Sequence, residues 1–255
     1  MNGTLVTLKK ELMSYFYSPV SYLIAVLFYL WRGYEVRSTV RAFAVYQLDQ
    51  DLLPSACFGL TSTFFMVLLV PGVLTMRCFA EERRSGSIET LLTAPIRDVE
   101  VVLGKWLAAV AFYSLLWLPT VLLMWVLTLP PFLDTHLEFG PVFTSYCGMF
   151  LLSSMLLAYG CFASSLTDNL LLAAIVAILF NLGLLKLPEL LRQELGATAQ
   201  EPLVEQVLSK LDVMGNFGQW WARGLVDTSQ IWFYLGGTMF FLFLTVLSFG
   251  ARRVA

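Results

Sequence analysis

The chain has 255 residues, of which 58% are hydrophobic and 13% charged, and 16 Lys plus Arg stand against 18 Asp plus Glu for a formal net charge of −2. An ordinary soluble domain is roughly 45–50% apolar and about 25% charged, and here the apolar residues lie in long blocks that a soluble fold of this length cannot bury. These figures exclude a soluble enzyme, a disordered tail and a secreted disulfide scaffold, the missing basic excess argues against a nucleic-acid partner, and a polytopic helical membrane protein remains.

Residues 3–17 read as an amphipathic surface helix. Leu5, Leu8, Leu12 and Phe16 recur at helical spacing, and Lys9 and Lys10 suit the lipid headgroup level. With Lys9, Lys10 and Glu11 in its middle, this stretch is not expected to be a cleavable signal peptide. Six apolar blocks follow. The first, Val20–Trp31, is too short to cross a core of roughly 30 Å; it spans only if the helix continues through Gly33, Tyr34 and Val36, with Arg32 and Glu35 near one interface at i,i+3 spacing. The others are Ala56–Met76 with Pro71 near its end, Val101–Leu129 with a kink expected at Pro119, Val142–Leu166, Leu170–Leu187 with Asn181, and Ile231–Phe249.

The connections differ in character. Residues 32–55 read as a polar link, with Arg37 and Arg41 on one helical face. Residues 130–141 hold Asp134 and Glu138 without Lys or Arg. Residues 188–229 form the longest polar stretch, in which Leu203, Val204, Val207, Leu208 and Leu211 make a second amphipathic stripe and Pro202 suits a first helical position. Trp220 and Trp221 are expected at a membrane interface, like the other tryptophans. Gly148, Ser153, Ser154, Ala158 and Gly160 allow close helix packing in the fourth block, and Asn181 is expected in an interhelical hydrogen bond. One membrane domain covers residues 1–255.

Signs of chemistry are sparse. No GxxxxGK[ST] loop occurs, since Gly104-Lys105-Trp106 lacks the upstream glycines; HExxH and GxSxG are absent as well. Cys57, Cys78, Cys147 and Cys161 form no CxxC pair and read as small packing residues. His136 has no companion ligand nearby in sequence, so no metal site is expected. The chain therefore reads as a non-enzyme.

The densest polar feature lies between the second and third blocks. Ser87 can cap a short helix, Glu89 falls in its first turn, Pro95 lies just beyond its end, and Ile88, Leu91 and Leu92 give it an apolar face in need of a membrane or a partner groove. The run from Phe79 to Ile96, with Ala80-Glu81-Glu82-Arg83, Gly86-Ser87-Ile88-Glu89, Leu91-Leu92 and Pro95-Ile96, strongly resembles the segment between the second and third spans of ABC-2-type permeases. Asn216-Phe217 through Ala222-Arg223-Gly224-Leu225-Val226-Asp227 resembles the stretch before the last span in the gliding-motility-associated branch of that family. Lys10-Glu11-Leu12 with Tyr15-Phe16-Tyr17-Ser18-Pro19 is similar to its start.

The resemblance implies an all-α, type-2 ABC exporter permease fold with six transmembrane helices, both termini in the cytoplasm, and a place in the bacterial inner membrane. It implies that residues 82–95 are the coupling helix that docks on a separate ATP-binding subunit, fixed by Glu82, Arg83, Gly86, Glu89, Leu92 and Pro95. Residues 188–229 would form outer-face helices before the last span. The partners implied are two ATPase subunits, which carry ATP and Mg, and a second permease subunit, identical or related; an accessory envelope protein and membrane lipid complete the set, and this chain binds no cofactor itself. The early charges Arg32, Arg37 and Arg41 depart from the family's longer first span and are candidates for an anion-attracting outer rim. Two functions are carried: a permease that exports a substrate, and a membrane scaffold that transmits ATPase work to an envelope or motility complex without solute flux.

Overall fold

The computed structural model describes residues 3–46, 60–86, 96–127, 139–196 and 201–250. Among these the chain is helical, with no strand. In order, the helices are α1 (Gly3–Tyr17), α2 (Pro19–Tyr46), α3 (Leu60–Thr75), α4 (Ala80–Arg84), α5 (Asp98–Leu127), α6 (Phe139–Leu166), α7 (Leu170–Leu195), α8 (Pro202–Leu211) and α9 (Val213–Gln219). A 3-10 turn (Trp221–Arg223) and α10 (Thr228–Gly250) follow.

Four of the described helices, α5, α6, α7 and α10, are long and apolar enough to cross a membrane, and α1 with α2, bent by 70°, makes up a fifth candidate. The second block is described only as the 16-residue α3, with the residues before it outside the described set. Helix α2 continues to Tyr46 instead of giving way to a polar link at Arg32. The reason is local: Arg32 and Glu35 face each other one turn apart and neutralise each other, so a charged pair is carried inside a continuous helix. Helix α7 likewise runs through Pro188 to Leu195, eight residues beyond its apolar block.

Helix α6 is the hub. Its small residues admit close neighbours: a Cβ on Gly148 would meet the Trp221 ring at 2.7 Å, and one on Gly160 would meet the Thr75 Cβ at 2.8 Å. Ser154 lies 3.3 Å from the Thr238 hydroxyl of α10, beside Gly237, which makes room for Met155. Tyr159 of α6 stacks on Phe180 of α7, and both meet Phe241 of α10 edge-on. Asn181 of α7 donates to the Leu68 carbonyl of α3 at 3.3 Å, the interhelical bond its position in an apolar block requires.

Helix α1 packs along the first half of α5 with an unexpected face. The buried residues are Thr7 and Tyr15, while Leu5 and Phe16 of the apolar stripe stay exposed. A Cβ on Gly104 would lie 2.6 Å from the Thr7 Cβ, so the helices touch where α5 is smallest. Tyr15 stacks on Phe112 with ring centroids 5.3 Å apart. At the far end of α6, the turn at 221–223 folds back onto its first residues: Thr144 donates to the Trp221 carbonyl at 2.7 Å. Trp221 is therefore fully buried, as is Trp117, whereas Trp125 and Trp232 are exposed as interface or lipid-facing tryptophans should be.

Candidate functional site

The segment predicted to meet a partner begins in a densely bonded region at one end of the bundle. Helix α4 is one and a half turns long, with Glu81 and Glu82 in its first turn and Arg83 and Arg84 in its last, the order that complements the helix dipole. Phe79, at its N-cap, offers no capping side chain. The cap arrives from α6 instead: the Ser164 hydroxyl accepts from the backbone N–H groups of Phe79 and Ala80, each at 3.1 Å, and donates to the Met76 carbonyl at 3.1 Å. Orphan N–H groups at a helix start need such an acceptor, and this one is supplied from 84 residues away in sequence. Arg83 donates to the Ser165 carbonyl, fixing the other face of α4 to the same helix end. Gly86 then leaves α4 at φ +72°, a left-handed conformation that favours glycine.

At the centre of this region lies Lys105 of α5, which is 2% exposed and has its ammonium 2.9 Å from Glu11 of α1 and 2.9 Å from Glu82 of α4. The same ammonium stands 5.3 Å from the centre of the Phe79 ring, within reach of a cation–π attraction. Lys10 approaches both carboxylates from the exposed side, at 3.9 and 3.7 Å. Arg77 grips Glu81 with two hydrogen bonds of 2.7 and 2.8 Å and reaches the Ser18 hydroxyl at the α1–α2 bend. Those bonds hold the Glu81 carboxyl below the usual carboxylate range and the Arg77 guanidinium above its ordinary value. Phe79 packs against Phe249 at the end of α10. Residues 76–86 are thus tied to α1, α5, α6 and α10 at once.

The predicted site residues divide accordingly. Glu82 and Arg83 sit in this knot and face other helices of the same chain. Gly86 is the exit from it. Glu89, Leu92 and Pro95, with the cap Ser87, lie outside the described residues. Lys105, Glu11 and Ser164 were not predicted as site residues, although Gly104-Lys105-Trp106 and Lys10-Glu11-Leu12 were noted for other reasons; their partners are distant in the chain, and a lone lysine at the start of an apolar block carries no local signal.

The three arginines proposed as an outer rim do not form one group. Arg37 and Arg41 are exposed on α2, but Arg32 is buried inside the bundle. Its guanidinium bonds Glu35 at 2.7 Å and lies 5.2 Å from the centre of the Trp117 ring of α5, while the Trp31 indole N–H donates to Glu35 at 2.7 Å. Twelve residues separate Lys105 from Trp117, so this pair sits about 18 Å further along α5. At the same level, α5 and α6 enclose an open, largely apolar cavity of about 610 Å³, whose walls include Tyr113, Trp117, Phe143, Tyr146 and Phe150. Among the described residues no group of His, Cys, Asp and Glu is placed to hold a metal ion.

The described residues thus form a helical chain with four to five candidate membrane spans and a short, heavily anchored helix between its second and third long segments. The profile of the ABC-2 family of transporter proteins matches residues 6–250, and the chain belongs to that family. Such permeases normally work with an ATPase subunit. No curated protein matches the chain.

Proposed function

We propose that this chain is the permease subunit of an ATP-driven exporter in the bacterial inner membrane, with both termini in the cytoplasm, and that residues 82–95 dock on a separate ATPase subunit. The observation that carries the reading is the Lys105 knot. The segment that leads into residues 87–95 is bonded to α1, α5 and α6 and packs on α10, so a displacement of that segment cannot stay local. ATP binding favours a closed ATPase dimer, and a ligand shifts an equilibrium only by its differential affinity for two states. Closure moves the docked segment; Lys105 and Ser164 hand the motion to α5 and α6, which also wall the large apolar cavity. A cargo with an apolar part suits that wall. Two copies of the permease, or this chain and a related one, would pair with two ATPase subunits.

The test is purification of the tagged chain in mild detergent, with mass spectrometry of what remains bound. An ATPase subunit is expected with the wild type and is expected to be lost from a Glu89→Lys, Leu92→Asp variant. Absence of any ATPase from the wild-type preparation, or equal recovery with the variant, would remove the docking assignment and bring forward the scaffold function without solute flux.

A further inference from the structure

Two thiols meet at the same end of the bundle. Cys78 lies in the turn between α3 and α4, Cys161 lies on α6, both are buried, and their sulfur atoms are 3.9 Å apart with the Cys161 thiol donating to Cys78. A third polar group joins them: the Tyr15 hydroxyl is 3.4 Å from the Cys78 sulfur. Cys78 also lines a small polar cavity of about 30 Å³ together with Glu11, Ser14, Ser18, Arg77 and Glu81. That is room for a molecule the size of water or hydrogen peroxide. Cys161 is not among its walls. The two cysteines therefore differ: Cys78 borders a polar cavity walled by the Arg77 guanidinium and the Glu11 and Glu81 carboxylates, and Cys161 does not.

We propose that Cys78 and Cys161 form a peroxide-reactive pair, in which Cys78 is oxidised first and Cys161 resolves it to a disulfide that pins the start of α4 to α6. The chemistry asks for a thiolate in a polar, electropositive setting next to a second thiol. The Cys78 thiol is held below its ordinary value chiefly by the hydrogen bond from Cys161, and further by the Tyr15 hydroxyl and the positive charge of Lys105, against the opposing effects of burial and of the Glu11 carboxylate. In the first step the Cys78 sulfur attacks one oxygen of hydrogen peroxide. The S–O bond forms, the O–O bond breaks, and the departing hydroxide leaves as water with the thiol's proton; sulfur is oxidised to sulfenic acid and peroxide is reduced. In the second step the Cys161 sulfur attacks Cys78, the S–S bond forms, the S–O bond breaks, and a second water carries off the hydroxyl and the Cys161 proton. Closing the sulfurs from their present separation to a bond of about 2.05 Å is a side-chain movement of about 2 Å. The chemistry does not depend on the transport function.

The full-length chain with its bound partners is treated with hydrogen peroxide and its cysteines are mapped by peptide mass spectrometry. The expected product joins the peptides of Cys78 and Cys161 and separates again with dithiothreitol. In a Cys161→Ser variant the expected product is a Cys78 sulfenic acid trapped by dimedone. In a Cys78→Ser variant, Cys161 is expected to be oxidised at least ~10-fold more slowly than Cys78 in the wild type, because the thiolate fraction and access set the rate. The proposal is overturned if Cys78 stays reduced under peroxide that oxidises Cys57 or Cys147. It is also overturned if Cys161 in the Cys78→Ser variant reacts as fast as Cys78 does. The mapping uses the wild-type chain as well as the variants, so a variant that fails to fold leaves the wild-type result to decide.

Discussion

Two buried basic residues lie on or against α5, and they are used in opposite ways. Arg32 finds its carboxylate one turn away on its own helix and shares it with the Trp31 indole. Lys105 finds its carboxylates on α1 and α4, 94 and 23 positions away in the chain. The first arrangement neutralises the charge within its own helix and adds a ring contact to α5. The second commits three segments to one point. Both ions are desolvated, and a desolvated pair contributes little net stability over an apolar filling of the same volume. What Lys105 adds is connection: removing it releases segments from each other, whereas removing Arg32 disturbs the interior of one helix and its packing on Trp117.

That contrast predicts an order of effects. Lys105→Met leaves two largely buried carboxylates without their buried cation, with the exposed Lys10 at 3.7–3.9 Å still beside them, and the expected loss is about 3–5 kcal/mol, read as a lowered unfolding temperature in detergent. Adding Glu11→Gln and Glu82→Gln to Lys105→Met should restore most of it, since the uncompensated charge is then gone. Arg32→Met is expected to cost less, about 1–3 kcal/mol, because Glu35 keeps the Trp31 hydrogen bond. Equal losses at the two positions would break the comparison.

A smaller effect sharpens it at the rim of the knot. The Arg77–Glu81 pair is half-exposed, and exposed pairs contribute about 0.2–1 kcal/mol. Because the folded Glu81 carboxyl is held below its unfolded value, its contribution is complete above the ordinary carboxylate range and is lost as pH falls through the lowered folded value. Stability should therefore decline on acidification, and a Glu81→Gln chain should show a shallower decline. An identical pH dependence in the variant would remove Glu81 from the knot's stabilising contacts.

What could be read from sequence followed from local periodicity and composition. The helical class, the Pro202 start of α8, the close packing at Gly148 and Gly160 and the Asn181 hydrogen bond all appear in the structure. Contacts set by distant partners were not legible. The apolar stripe of α1 pointed to one face, but Gly104 of α5 admits Thr7 and Lys105 draws in Glu11, so the inward face combines Thr7, Glu11 and Tyr15 with Leu8 and Leu12, and Leu5 and Phe16 stay outside. Trp221 looked like an interface anchor because nothing nearby in sequence announces that Gly148 leaves space for its ring. Arg32 looked like the start of a polar link because a charge in an apolar run usually is one; its burial depends on Trp117, 85 positions later. Ser164 looked like one more small residue of α6, and its use as the missing cap of α4 depends on a turn in a different part of the chain.

The proposed role of the knot in transmission is tested most directly by ATP hydrolysis in a complex reconstituted from the permease and the ATPase subunit that co-purifies with it, comparing wild type with the Glu11→Gln, Glu82→Gln, Lys105→Met chain. The triple variant removes the connection while leaving no stranded charge. The expected result is that the ATPase subunit still co-purifies and still hydrolyses ATP, but that the ATP-dependent change in distance between labels on α5 and α6 is lost. An unchanged distance response in the triple variant would contradict transmission through Lys105.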